Sequence, residues 1–141
     1  MSLIFWDTNL FVYWMEDHPK FGDRVGRIRR RMLERGDQLC TSALTIGELL
    51  AGPYSRKQER LAERYKAALG PPHVEILPFA GETAERYARI RCDRTISPAD
   101  AVQLACAAQA GVDLFLTNDR RLGRKIIPGI QFIADMETDL M

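Results

Sequence analysis

The first fifteen residues, Met1-Ser2-Leu3-Ile4-Phe5-Trp6-Asp7-Thr8-Asn9-Leu10-Phe11-Val12-Tyr13-Trp14-Met15, carry a single charge, Asp7, in the most apolar stretch of the chain. An unpaired carboxylate buried among such neighbours costs several kcal/mol or takes up a proton, so its placement needs a reason. Leu3–Trp6 is a short apolar run of the kind that forms a buried strand, and residues 9–16 predict a helix with Asp7 or Asn9 as its N-cap. The charge therefore falls where a strand ends and a helix begins.

The same alternation continues down the chain. Phe21, Val25, Ile28 and Met32 recur at steps of four, three and four, which predicts one buried stripe on a helix over residues 21–35, with Arg24, Arg27, Arg30, Arg31 and Arg35 on the remaining faces. Gln38–Ser42 reads as a strand, residues 44–51 as a short buried helix, and residues 55–69 as a polar helix with Leu61, Tyr65 and Leu69 spaced by four. Pro71-Pro72 reads as a turn. Residues 74–77 predict a strand, 81–94 an amphipathic helix, and Pro98–Ala110 a helix of small apolar residues enclosed on most sides. Leu114–Thr117 is a buried strand and residues 130–133 a weaker last one. Strands alternating with helices predict an α/β fold of three layers, with a mostly parallel central sheet of 4–5 short strands flanked by helices.

Composition narrows the class. The 141 residues predict one domain over 1–141, with 46% hydrophobic and 28% charged residues and a net charge of +1, so the chain is not a strongly basic nucleic-acid binder overall. Local patches are another matter, since 16 of the 20 basic residues are Arg and several cluster. Asp7-Thr8-Asn9 interrupts the N-terminal apolar run and no Lys or Arg precedes it, against a secretory signal. No segment reaches the ~20 apolar residues of a membrane span. The expectation is a cytoplasmic protein. Cys40, Cys92 and Cys106, with only His18 and His73 besides, make no zinc spacing and read as buried free thiols.

In a parallel sheet, ligands bind beyond the carboxyl ends of the strands, and four acids fall at junctions that could share that edge. Asp7 and Asp119 each follow an apolar strand, and Glu48 in LTIGELLAG and Asp100 in SPADAVQLACA are isolated charges near helix starts. Capping accounts for each one alone. Ser97-Pro98-Ala99-Asp100 has capping-box spacing, Thr45-x-x-Glu48 has the same spacing, and Asp7 and Asp119 can accept from the turns that follow them. Capping does not account for their convergence, nor for Glu48 inside an apolar helix. Four carboxylates without basic partners repel, and two hard divalent cations such as Mg²⁺ or Mn²⁺ would balance them. The chemistry suited to that cluster is in-line phosphoryl displacement by water.

The ordered set Asp7-Thr8-Asn9, Glu48, Ser97-Pro98-Ala99-Asp100-Ala101 and Thr117-Asn118-Asp119 resembles a PIN domain. More narrowly, it resembles the ribonuclease toxins of the VapC type from bacterial and archaeal toxin–antitoxin pairs. The resemblance runs from Leu3 to about Ile133. It implies a metal-dependent endoribonuclease using two Mg²⁺ or Mn²⁺ ions, with Asp7, Glu48, Asp100 and Asp119 as the catalytic and metal-binding acids. Thr117 stands where the family often has a supporting hydroxyl, and Thr8, Asn9 and Asn118 stand beside the acids as further supporting residues. The resemblance also implies an RNA substrate, a homodimer and a small antitoxin partner.

A carboxylate site repels phosphate unless cations offset it. Arg120, Arg121, Arg124 and Lys125 follow Asp119, and Arg91 and Arg94 precede Asp100, as candidate RNA-backbone contacts; Arg29–Arg31 reads instead as a solvated face. Phe11, Tyr13 and Trp14 could stack bases, but their place in the first apolar segment favours core or subunit contact. Two rival readings stand beside the nuclease. A non-catalytic RNA- or protein-binding PIN module would be expected to have lost an acid, and none is lost. An aspartyl-phosphate phosphatase with Asp7 as nucleophile would want Asp-x-Asp, and Asn9 occupies the second place.

Overall fold

In the computed structural model, which describes residues 1–137, five strands form one all-parallel sheet. They are β1 (Leu3–Trp6), β2 (Gln38–Ser42), β3 (Glu75–Leu77), β4 (Leu114–Thr117) and β5 (Phe132–Asp135), in the order β3-β2-β1-β4-β5. Six helices connect them: α1 (Thr8–Met15), α2 (Gly22–Arg35), α3 (Ala43–Ser55), α4 (Glu59–Ala68), α5 (Gly81–Ile90) and α6 (Pro98–Ala110). The alternation of strand and helix thus gives the expected three-layer α/β fold.

The strands read as continuous apolar runs because both faces of the sheet are covered. Phe5 on β1 pairs in register with Cys40 and Phe115, and the Phe5 and Phe115 rings stack with centroids 4.8 Å apart. With Leu104, Ala105 and Cys106 of α6 they make the core on one side. Ile4, Trp6, Leu39 and Leu116 point the other way, into a core shared with Leu10 and Phe11 of α1, Val25 and Met32 of α2, and Tyr65 of α4. Phe11 is buried in the core as expected, whereas Trp14 is exposed and only its edge-on contact with Trp6 reaches the core; Tyr13 is half-buried and packs against His18 and Phe21.

Several boundaries differ from the sequence reading. The helix expected over 44–51 runs on through Gly52-Pro53 to Ser55, and the polar helix begins only at Glu59. Pro53 is buried in the last turn of α3, where Ser55 Oγ donates to Gly52 O and the Arg56, Lys57 and Gln58 amides bond the Gly52, Tyr54 and Pro53 carbonyls. Those bonds satisfy the helix end. The helix expected to reach residue 94 stops at Ile90, because Asp93 Oδ1 accepts from the Thr95 amide and hydroxyl and Arg91 Nη1 donates to Ile96 O. The last strand lies two residues later than expected, where the ladder with β4 sets its register, Leu114 opposite Phe132.

Two readings of side chains are corrected as well. Cys40 and Cys106 are buried free thiols, their pKa values pushed up by burial to about 12 and about 11, but the Cys92 thiol is exposed on the loop after α5. Arg30 and Arg31 are exposed, whereas Arg29 is buried under the loop before β3, with Nη2 3.5 Å from His73 O. Burial lowers its pKa. Among the described residues, no helix is long and apolar enough to cross a membrane.

Candidate active site

Because β1 lies at the centre of the sheet, with β2 and β4 on either side, the chain leaves its carboxyl end at the point where the strand order reverses. Asp7 occupies that point. Its amide donates to Leu116 O on β4 at 3.0 Å, and it N-caps α1 with Oδ1 accepting from the Thr8 amide at 2.9 Å. Oδ2 accepts from the Thr117 hydroxyl at 3.0 Å. The residue is only 9% exposed, and burial pushes its carboxyl pKa up to about 6. The two hydrogen bonds pull the value down, and the charges of Asp100 and Glu48 raise it again.

Glu48 stands in the second turn of α3 and is exposed, not enclosed as its apolar sequence neighbours predicted. The helix turns Leu49 into the core and leaves Glu48 on the outer face, where Oε1 accepts from Thr8 Oγ1 at 2.6 Å. Capping does not explain it. Ser42 is the N-cap of α3, and Thr45 lies within the helix with its hydroxyl 2.7 Å from that of Thr41.

Asp100 opens α6 behind its N-cap Ser97, whose Oγ accepts from the Asp100 amide at 3.1 Å. The reciprocal half of the expected capping box is missing, since among the described residues nothing donates to the Asp100 carboxylate. Asp119 follows β4 and lines a cavity of about 290 Å³ together with Asp100, Arg121, Arg124 and Lys125. Its amide donates to Thr117 Oγ1 at 3.1 Å, and its carboxylate is taken by Arg121, with Nη2 3.2 Å from Oδ2 and the backbone amide 2.9 Å from Oδ1. Those bonds hold the Asp119 carboxyl below its ordinary pKa.

The fold therefore brings Asp7, Glu48 and Asp100 into one electrostatic neighbourhood and places Asp119 beside Asp100 with an arginine already on it. Among the described residues, no three Asp, Glu, His or Cys side chains are drawn tightly enough together to form a ready-made metal cage. The donors on offer are carboxylate and hydroxyl oxygens. His18 is stacked on Phe21 and accepts from the Lys20 and Phe21 amides, and His73 lines a separate cavity with Tyr65. An oxygen-only donor set fits a hard divalent cation.

The supporting residues divide. Thr8 and Thr117 touch Glu48 and Asp7 directly. Asn118 instead donates to the Tyr13 hydroxyl at 2.7 Å, and Asn9 lies exposed on α1. Among the candidate RNA contacts, Arg94 and Arg121 are exposed, Arg91 is tied to Ile96 O at 2.6 Å, and Arg120 pairs with Glu137. Lys125 bridges to Asp93 at 2.8 Å and to Thr95 at 2.7 Å, which fixes the loop before α6 at the rim of the cavity. Sequence reasoning missed Gln103 and Ser42 and read Thr45 only as a capping residue; all three are fully or almost fully buried, with Gln103 and Thr45 beside Thr8 and Ser42 on the other side of the Gln103 amide. The available signal was Gln103 itself, the one amide in the apolar run 101–108.

Comparison with known proteins agrees with this fold. The family model described as PIN domain matches residues 4–126. The toxin–antitoxin complex VapBC2 of Rickettsia felis, bound to a promoter DNA fragment, gives a TM-score of 0.75 at 19% identity, covering 94% of this chain and 98% of that one. VapBC-1 of nontypeable Haemophilus influenzae gives 0.73 at 17% identity, over 96% of this chain and 99% of that one. A sarcin–ricin loop cleaving toxin of Mycobacterium tuberculosis, VapC20, gives 0.66 at 16% identity, over 87% and 96%. No curated protein sequence matches. At these identities the solved structures speak to fold alone, while the family model spans most of the sequence, all four acids included. The chain belongs to the PIN-domain family.

Proposed function

We propose that this protein is a Mg²⁺- or Mn²⁺-dependent endoribonuclease of the VapC type, the toxin of a toxin–antitoxin pair, with Asp7, Glu48, Asp100 and Asp119 as its acidic site. One observation carries the reading above the others. Asp7 is buried at the carboxyl end of the central strand, its pKa raised to about 6, with the charges of Asp100 and Glu48 bearing on it. A carboxylate kept there at such cost suits a group that meets a cation in use.

Asp7, Glu48 and Asp100 would hold the ion, with Asp119 lining the same cavity as Asp100. A divalent ion, or the pair that four carboxylates would balance, supplies Lewis-acid activation of water and neutralises charge on the phosphoryl group. The chain's own residues do the rest. Thr8 N–H and Thr117 O–H each engage one Asp7 oxygen and fix the rotation of the carboxylate, leaving its remaining lone pairs to face the site. Arg121, Arg124 and Lys125 around the cavity offset the acids and draw in the phosphate backbone.

The solved relatives support an antitoxin partner, since several are toxin–antitoxin complexes. A homodimer belongs to the same reading. One observation favours the rival, non-catalytic module: Asp119 is spent on Arg121, and no ready-made cage exists among the described residues. Incubation of purified protein with RNA decides between them. Cleavage with Mg²⁺ or Mn²⁺ that EDTA stops and Asp7→Asn or Asp100→Asn abolishes is the expected result. Cleavage that survives both substitutions refutes the assignment, and no cleavage under any metal leaves the binding module.

A further inference from the structure

Beneath Thr8 lies a buried polar cluster whose protons can be assigned by counting donors. Thr41 Oγ1 is 2.9 Å from Trp6 O and 2.7 Å from Thr45 Oγ1. A carbonyl only accepts and a hydroxyl has one proton, so Thr41 gives its proton to Trp6 and Thr45 supplies the one shared with Thr41. Thr8 Oγ1 is 2.6 Å from Glu48 Oε1 and must donate to it. The Thr8 and Thr45 hydroxyls, 3.3 Å apart, have then both spent their protons and both need a donor. The one within reach is Gln103 Nε2, 3.1 Å from Thr8 and 2.8 Å from Thr45, with two hydrogens to give. The amide oxygen accepts from Ser42 Oγ on its other side.

This count admits one orientation of the amide. Turned over, Gln103 would present its oxygen to Thr8 and Thr45, and Thr8 would give up its bond to Glu48 to satisfy it. Gln103 is 2% exposed and sits on α6 one turn beyond Asp100. It therefore joins the helix that carries Asp100 to the residue that follows Asp7 and, through Thr8, to Glu48.

We propose that Gln103 is a positioning residue of the acidic site: its amide locks the Thr8 proton onto Glu48 and ties the three acid-bearing elements to one buried point. The proposal rests on the metal-dependent reading above, and the group it orients is a metal-holding carboxylate. Partners that orient ligands from behind commonly change metal affinity by about 10- to 100-fold when removed.

The test is Mn²⁺ binding by calorimetry, with RNA-cleavage kinetics, on the wild-type protein, Gln103→Met, Thr8→Val and the double variant. Each single change should weaken Mn²⁺ binding about tenfold, and the double no further than the worse single, because both break the same chain. Thr8→Ser, which keeps the hydroxyl, should restore binding. At saturating metal, kcat should fall while the KM for RNA holds, a split that general loosening of the core would not give. If Gln103→Met does not fold, Ser42→Ala releases the amide from its other end and should weaken Mn²⁺ in the same direction. Unchanged affinity in the folded variants, or losses that multiply in the double variant, overturns the proposal while leaving the nuclease reading intact. Failure of the wild-type protein to bind either Mn²⁺ or Mg²⁺ overturns both.

Discussion

The Thr117 hydroxyl, at the end of β4, donates to Asp7 Oδ2 at 3.0 Å across the seam between the two central strands and accepts from the Asp119 amide at 3.1 Å. One buried oxygen thus fixes an acid on the neighbouring strand and the backbone of a second acid on its own. Thr117→Val keeps the shape and removes both bonds. Stripping a buried acceptor of its partner costs about 1–3 kcal/mol, and the loss should raise the Asp7 pKa further, because the Thr117 bond now lowers it. Thr117→Ser should retain most of the stability and the metal affinity. Chemical denaturation, and the pH at which Mn²⁺ binding half-disappears, measure the two effects.

The raised pKa of Asp7 makes a prediction about pH whose sign is fixed. Asp7 titrates near 3.9 in an unfolded chain and near 6 in the metal-free fold. The folded state therefore binds more protons between those values, and stability falls as pH rises through that window. The shift of about two units corresponds to roughly 3 kcal/mol, present below pH 4 and gone above pH 6. Asp7→Asn cannot titrate and should flatten the slope and stabilise the metal-free protein at neutral pH. Saturating Mn²⁺ should do the same for the wild type by supplying the missing partner. Urea denaturation at a series of pH values, with EDTA and with Mn²⁺, checks both. A flat wild-type profile in EDTA would remove the case for a strained carboxylate.

Asp100 separates capping from chemistry. Ser97 already caps α6, and among the described residues nothing donates to the Asp100 carboxylate, so Asp100→Asn should leave metal-free stability within about 0.5 kcal/mol. It should nevertheless abolish the rise in Tm that Mn²⁺ gives the wild-type protein. A loss of about 1 kcal/mol or more with EDTA present would return Asp100 to a helix-end role.

Arg121 is 79% exposed at its side chain, and its pair with Asp119 is open to solvent, so Arg121→Ala should change stability by less than about 1 kcal/mol. Its larger effect is expected on RNA: affinity should drop and its salt dependence should flatten, since one phosphate contact fewer releases fewer counterions. Filter binding of Asp7→Asn protein, with and without the Arg121 change, over a salt series reads this without cleavage.

Lys125 fastens the 91–97 loop through Asp93 and Thr95, and those bonds hold the Asp93 carboxyl down to about 2. The linkage is near the surface, so Lys125→Ala should barely move Tm. Amide exchange should instead speed up in the loop alone, and the KM for RNA should rise as the rim of the cavity loosens. Exchange that accelerates across the whole chain would show that Lys125 matters for the core instead.

The order of strands and helices was legible in the sequence, because continuous apolar runs and four-three-four stripes report how each segment meets the core. Leu3–Trp6, Gln38–Ser42, Leu114–Thr117 and Pro98–Ala110 appear where those runs place them. So do the junctions that carry the acids. The chain alone did not contain the strand order with β1 at the centre, which depends on β1 pairing with β4 110 residues away and brings Asp7 beside Thr117. It also did not show that Glu48 faces outward, that Arg29 lies buried, or that α3 runs through Pro53 to Ser55 where local propensity would have stopped it earlier. Burial is a property of the packed neighbours of a side chain, and no local pattern counts them. Gln103 marks the boundary most clearly. In sequence it is one amide among alanines, and only the fold sets it within 3.1 Å of Thr8 and 2.8 Å of Thr45, with their protons already given away.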